Sequence, residues 1–359
     1  MLALGRDAGP PRLRLERVGF AELPGWARAD MKAAVQAFTK SCLAFEKAPG
    51  GAPFGAVDSG VDYGTVGEWL PACHAAADVS AGDAAAARRF FEDAFVPMAV
   101  TNYGEARGLF TGYFEIELNG SVNRHGPYQT PIYRRPPELA QMPRLSRAEI
   151  EDGALAGRGL ELFWVDDPIA AFFLQIEGSG VIRLHDGRKV RVGYDGQNGL
   201  PYVPVGRLLI ERHVLAAGEV TMASIIKWMR AHPRAGAALR RDDPAYVFFR
   251  IVHGDGPIGA EHVPLTAEHS LAVDPRFIPL GVPIWLDAKE RFDQREAVRR
   301  LVVAQDTGGA IKGPIRGDLF WGAGSVAGER AGRMNARGSY WLLLPRVVAA
   351  RVIQDEAWD

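Results

Sequence analysis

Apolar positions recur every third or fourth residue early in the chain and every second residue later, and that change of period divides it. In MKAAVQAFTKSCLAF, Met31, Val35, Phe38, Cys42 and Phe45 fall on one helical face. AGDAAAARRFFEDAFVPMAV is alanine-rich and carries Phe90, Phe91 and Phe95 as a core stripe, so the first hundred residues read as mostly helical. From about residue 106 short β-prone runs take over: GLFTGYFEIEL, YQTPIY, AAFFLQIEGSGVIRL and KVRVGYD, separated by Gly, Pro and Asn/Asp turns. HDGRK reads as a hairpin turn and TMASIIKWMRAH (221–232) as a helix. From Ala245 the runs AYVFFRIV, LAVD, VPIWLD, LVVAQD, DLFWG and SYWLLLP follow, with a helical interruption at GERAGRM. Six short strands joined by proline and glycine predict a small closed barrel. The expected fold is therefore mainly β with a helical N-terminal segment. Two domains in series fit this pattern, and so does one discontinuous domain of residues 1–105 and 243–359 with 106–242 inserted as a smaller β domain.

A chain of 359 residues can form two such domains with a sizeable core, and 47% hydrophobic with 24% charged residues is ordinary for a globular protein. The net charge of −1 offers no basic face for nucleic acid. No apolar run approaches the roughly 18 residues of a membrane span. The opening MLALGRDAGPPRLRLERV has neither a signal-peptide core nor a cysteine for a lipid anchor. Two readings stay open: a cytoplasmic protein, or one whose export segment lies outside this numbering. Cys42 and Cys73 leave a second choice, two buried thiols or a disulfide between helices. Neither belongs to a metal-binding spacing, and no metal or cofactor is expected.

The candidate chemistry lies in the last third. Asp274 ends LAVD, Asp306 ends LVVAQD before TGGAIKG, and Asp318 opens DLFWG. Aspartate is a common turn residue, so each alone says little. Two of them bracketing one glycine loop say more. An aspartic peptidase would use the D-T-G at Asp306 and the D-S-G at Asp58, with two carboxylates sharing a proton. Sugar chemistry fits better. A carboxylic acid protonates the leaving oxygen of a glycosidic bond, and Leu319, Phe320 and Trp321 would desolvate Asp318 and raise its pKa. Asp306, near Lys312 in sequence, suits an anion. Tyr113, Tyr128, Gln129, Tyr133, Gln175, Ser179 and Tyr194 suit a polar, aromatic-lined cleft.

Together TGYFEIELNGS, YQTPIYRRP, FFLQIEGSG, AYVFFR, SLAVDPRFIPLG and QDTGGAIKGPIRGD resemble the membrane-bound lytic transglycosylase A (MltA-type) family with its C-terminal 3D domain. The resemblance implies a double-psi β-barrel, a smaller inserted β domain and a groove between them. It implies an exolytic carbon–oxygen lyase that cuts the β-1,4 bond between N-acetylmuramic acid and N-acetylglucosamine, leaving 1,6-anhydromuramic ends. Asp318 maps onto the acid/base, with Asp306 and Asp274 as supports. Tyr113, Gln129, Tyr133, Gln175, Ser179, Tyr194, Gly308, Gly309 and Lys312 would meet the glycan, which would lie against the backbone at Gly308, Gly309, Gly313 and Gly317. The partners implied are peptidoglycan strands and other cell-wall synthesis or hydrolysis enzymes. The location implied is the periplasm or outer membrane, which favours a Cys42–Cys73 disulfide. A water-using hydrolase and a non-catalytic peptidoglycan-binding protein remain alternatives.

Overall fold

The computed structural model describes residues 12–55, 59–80, 82–254, 256–290 and 297–355, so Asp58 and the first eleven residues lie outside the described residues. The N-terminal part gives β1 (Leu13–Arg17), α1 (Lys32–Phe45), α2 (Val66–Ala77), α3 (Ala84–Ala94), β2 (Phe95–Asn102) and the long β3 (Gly108–Ser121). The middle gives β4 (Thr130–Tyr133), one helical turn α4 (Arg147–Glu149), β5 (Glu161–Val165), α5 (Pro168–Glu177), β6 (Ser179–Leu184) and β7 (Lys189–Gln197). It continues through α6 (Val205–Glu211), α7 (Met222–Ala231) and α8 (Pro233–Arg241) to β8 (Val247–Val252). The last part gives β9 (Ser270–Val273), β10 (Pro283–Glu290), β11 (Ala297–Thr307), β12 (Arg316–Ala323), α9 (Ser325–Arg333), β13 (Asn335–Pro345) and α10 (Arg346–Asp355). The chain divides into two units, Met1–Tyr113 with Ile258–Gly322 and Arg333–Asp359, and Phe114–Pro257 with Ala323–Gly332.

In the first unit the strands run β1-β2-β13-β10-β11-β9-β12, all antiparallel except the β9–β11 pair. Helix α1 buries Val35, Phe38, Cys42 and Phe45, the stripe that its period predicts. Phe38 meets Phe95 edge-on at 5.5 Å, and Phe54 stacks on Trp69 at 4.2 Å. The helix expected through AFVPMAV stops at Ala94 instead. Pro97 disfavours helical backbone at the residue before it, and Phe95 pairs with Pro345 of β13 to open a strand. Cys42 of α1 and Cys73 of α2 form a disulfide with Cα atoms 5.5 Å apart, closing a loop of 31 residues. A loop of that length predicts that reduction lowers the unfolding free energy by about 2–4 kcal/mol. Denaturation with and without reductant measures the difference, and thiol titration of denatured, unreduced protein should find almost none.

The second unit carries its own core. Ile116–Gly120 of β3 run parallel to Gly180–Leu184 of β6, which pairs antiparallel with β7, and β7 with β8. The AYVFFRIV strand expected in the barrel thus pairs with β7. The apolar run AAFFLQIE, expected as strand, is helix α5. Asp167 caps it by accepting from the Ile169 and Ala170 N–H groups, Pro168 opens its first turn, and Gly178 closes it at φ +77°. Phe172, Phe173 and Leu174 bury its length against Ile182, Val192, Leu209 and Met229. Continuous apolar composition suits a buried helix as well as a strand, and the caps decide.

Candidate active site

Three strands of the first unit bring two of the aspartates level. On β11 a bulge separates Ala304, opposite Leu271 of β9, from Asp306, opposite Ala272. On β12, Asp318 also stands opposite Ala272. Residues in register on neighbouring strands project from the same face, so Asp306 and Asp318 flank a single methyl group. The extra residue of the bulge, Gln305, is fully buried. Its Nε2 donates to the Ala37 carbonyl at 2.8 Å and to the Ser41 hydroxyl at 2.9 Å, which ties the strand end to α1.

The two carboxylates are held differently. Asp306 Oδ1 accepts from the backbone N–H groups of Ala260 (3.0 Å) and Thr307 (2.9 Å), and Oδ2 accepts from the Tyr113 hydroxyl at 2.7 Å. Lys312 is exposed, and among the described residues no ion pair joins it to Asp306, so the backbone and Tyr113 take the part expected of that lysine. Asp318 Oδ1 accepts from the Thr111 hydroxyl at 2.6 Å, and Thr111 accepts in turn from Arg316 at 2.8 Å. Among the described residues nothing donates to Asp318 Oδ2. Burial pushes the Asp318 carboxyl above its ordinary pKa, and the charge of Asp306 adds to this. The Thr111 bond and the Arg316 charge act against both.

Asp274 is different again. It is completely buried and accepts from the Arg276 backbone and guanidinium and from the Gly313 N–H at 2.7 Å. Burial works against its ionisation, but those donors outweigh it and hold its pKa low. Its place is at the root of the glycine loop. Gly313, at φ +102°, presents its N–H to Asp274. A Cβ on Gly317 would sit 3.0 Å from Leu271 and Phe110. These two glycines therefore have structural reasons of their own, whereas Gly309 has open space around it. Gly308 is half-buried beside Ile311.

Tyr113 bonds Asp306 and sets its ring 5.3 Å from Phe320. Thr111 and Arg316 are the residues that sequence reasoning missed. Thr111 stands two positions before Tyr113 on β3, so both side chains leave one face, and the strand period was the available signal.

The other candidates lie in the second unit. Gln129, Tyr133 and Gln175 line one hollow of about 300 Å³. Gln175 and Tyr194 line another of about 270 Å³. Gln129 is exposed and held by Arg124 Nε (2.7 Å) and the Gly126 carbonyl (2.9 Å). Gln175 is buried, and its Oε1 accepts from the Val247 N–H, so it also braces β8. Ser179 lies near the buried Glu115, which Arg191 pairs through both carboxylate oxygens at 3.1 and 3.0 Å. Tyr128 packs against His125.

A pair of aspartates at the end of a β unit, one tied down and one with a free oxygen, marks an enzyme of the acid/base kind. Residues 109–250 match the MltA specific insert domain and residues 269–344 match the 3D domain. The chain is 36% identical to membrane-bound lytic murein transglycosylase A of Escherichia coli (strain K12), over 78% of its own length and 75% of the relative's. Among solved structures it resembles the lytic transglycosylase LtgG of Burkholderia pseudomallei (41% identity, 96% and 98% of the two chains, TM-score 0.68). It also resembles MltA from Neisseria gonorrhoeae (29%, 95% and 93%, TM-score 0.78) and E. coli MltA with bound chitohexaose (29%, 93% and 94%, TM-score 0.63). The chain belongs to the MltA family of lytic murein transglycosylases, enzymes that act on peptidoglycan. That membership sets aside the peptidase and the non-catalytic readings. Several relatives are named membrane-bound. Among the described residues no helix is long and apolar enough to cross a membrane.

Proposed function

We propose that this lytic transglycosylase cuts the β-1,4 bond between N-acetylmuramic acid and N-acetylglucosamine with Asp318 as its single acid and base. The neutral carboxyl gives its proton to the leaving oxygen. The carboxylate then takes one from the C6 hydroxyl of the muramic residue, and that oxygen closes on C1 to leave a 1,6-anhydro end. The observation that carries this reading is the asymmetry of the two carboxylates. Asp318 has a raised pKa and a free Oδ2, whereas both oxygens of Asp306 are already engaged. A hydrolase would need its second carboxylate free to act on water or on the sugar, and Asp306 is poorly suited to that. Asp306 then serves as a fixed negative charge beside the developing oxocarbenium ion, and Asp274 shapes the loop.

The same reading takes the strands of the first unit as a double-psi β-barrel, for which the parallel β9–β11 pair beside antiparallel β12 is suitable. It places Gly308, Gly309 and Lys312 of the loop, and Gln129, Tyr133, Gln175, Ser179 and Tyr194 of the second unit, in contact with glycan. The chitohexaose complex of the E. coli relative supports a glycan ligand. The working location is the periplasmic face of the outer membrane, with other cell-wall enzymes as partners.

Mass spectrometry of digested sacculi tests the reaction. Anhydro ends, lighter than reducing ends by one water, are expected, and reducing ends alone would establish a hydrolase. The pH dependence tests the acid. Thr111 holds the Asp318 pKa down, so Thr111→Val is expected to raise it and carry the alkaline limb of kcat/KM to higher pH. An unmoved limb would place the titrating acid elsewhere.

A further inference from the structure

The second unit buries two arginines that differ in their company. Arg147 is 2% exposed and engaged through Nε and Nη2. It donates to the Asp243 carbonyl and carboxylate and to the Ala245 carbonyl, with its guanidinium over the Phe172 ring at 4.6 Å. Arg240, in the last turn of α8, is 9% exposed, yet among the described residues its guanidinium makes no hydrogen bond or ion pair. Burial lowers its pKa and the Arg147 charge adds to this, while the charges of Glu151 and Asp167 act the other way. Its guanidinium nitrogens still reach the solvent of the hollow that they line, so their donors stay open to a ligand.

Arg240 lines the hollow of about 300 Å³ that also holds Arg124, Arg147, Glu151, Gln129 and Gln175. Asp243 pairs Arg147 at 3.3 Å, which leaves Arg124 and Arg240 facing Glu151, one positive charge in excess. Arg124 lies over the Trp164 ring at 5.3 Å and spends its Nε on Gln129, so its terminal nitrogens are without a partner among the described residues. Two guanidinium groups with unused donors, beside amides that fit sugar, describe a site for a carboxylate attached to a glycan. A neutral sugar would leave that excess charge uncompensated. On a peptidoglycan strand carboxylates occur on the muramic residue, as a bare lactyl group or along the peptide that extends from it.

We propose that this hollow binds a carboxylate of the muramic substituent, with Arg240 and Arg124 as its two donors. The proposal rests on the peptidoglycan reading above, but its test does not depend on turnover. The full chain is titrated calorimetrically with N-acetylmuramoyl dipeptide, N-acetylmuramic acid and N-acetylglucosamine, none of which contains the scissile bond. The dipeptide is expected to bind and N-acetylglucosamine to give no comparable signal. Arg240→Gln and Arg124→Gln are each expected to weaken the dipeptide about ten- to a hundredfold, as loss of a charge-assisted hydrogen bond would. Arg124 is exposed, so its variant reads binding even if Arg240→Gln folds poorly.

Equal affinity for N-acetylmuramic acid and the dipeptide, lost together in the variants, shows that the hollow takes either carboxylate of the substituent. These are the bare lactyl group of the first and the peptide carboxylate of the second, whose lactyl carboxyl is an amide. Tight binding of the dipeptide alone assigns the peptide. Unchanged affinity in Arg124→Gln, equal binding of N-acetylglucosamine, or no binding of the dipeptide overturns the proposal. Anhydro products from sacculi without carboxylate binding would sink the hollow and spare the reaction. Carboxylate binding without anhydro products would do the reverse.

Discussion

Asp318→Asn is expected to remove almost all turnover of sacculi while leaving the melting temperature and glycan binding close to those of the wild type. The amide keeps the size of the carboxyl, and its oxygen can still accept from the Thr111 hydroxyl now 2.6 Å away. What it cannot do is release a proton and take one back. General acid–base catalysis is worth about 10²–10⁴ in rate, and here one group performs both steps. Asp306→Asn should behave differently. Its oxygen can keep the two backbone N–H groups and its nitrogen can donate to the Tyr113 oxygen, so a measurable residue of activity should persist. Losing the Asp306 charge also lowers the Asp318 pKa, since that charge now helps to raise it, and the alkaline limb should move to lower pH. Asp274→Asn should act mainly on stability, on the order of 1–3 kcal/mol, because a buried acceptor loses part of its set while the half-exposed Arg276 can turn to water. If Asp318→Asn kept more than about a tenth of the wild-type rate against that acid–base range, Asp306 would become the candidate acid.

The contrast among three aspartates shows how far the residues could be read in advance. LVVAQD and LAVD end strands, so the sequence places Asp306 and Asp274 at strand ends before turns, and the glycine loop brings Asp318 back. The register that sets Asp306 and Asp318 about one Ala272 was not legible, because it depends on a bulge at Gln305 and on a parallel pairing between segments far apart in sequence. The partners were missed for the same reason. Thr111 and Arg316 are ordinary residues in their own segments and become part of the site only when β3 and β12 place them beside Asp318. The helical stripe of α1 was legible because its period repeats over several turns. Helix α5 was not, since an unbroken apolar run has no period, although the Asp-Pro start and the glycine end were available as caps.

Behind Asp306 lies a group whose ionisation should govern the stability of the first unit. Glu261 is buried, its Oε2 accepts from the Ser41 hydroxyl at 2.6 Å, and among the described residues its Oε1 has no partner. Burial pushes its carboxyl up to about 8, with the Ser41 bond and the nearby Gln305 amide acting the other way. In the unfolded chain a glutamate titrates near 4.3. Between that value and about 8 the folded protein keeps a proton that the unfolded chain has released, so stability falls as pH rises through this window. It is unaffected by this group below the window and level above it. The total loss is on the order of a few kcal/mol.

Glu261→Gln removes the titration. The variant is expected to be no more stable than the wild type near pH 5, where its amide gains nothing, and clearly more stable near pH 9. Urea unfolding at several pH values should therefore give curves of stability that cross, and parallel curves would show that Glu261 does not carry the effect. The consequence reaches the site through the backbone. The Glu261 N–H bonds the Gln305 carbonyl at 3.2 Å, and the neighbouring Ala260 N–H holds Asp306. An ionised Glu261 loosens the same strand end that fixes Asp306, so the wild type should lose activity at alkaline pH for two reasons. Glu261→Gln should remove this one and leave the titration of Asp318 standing alone.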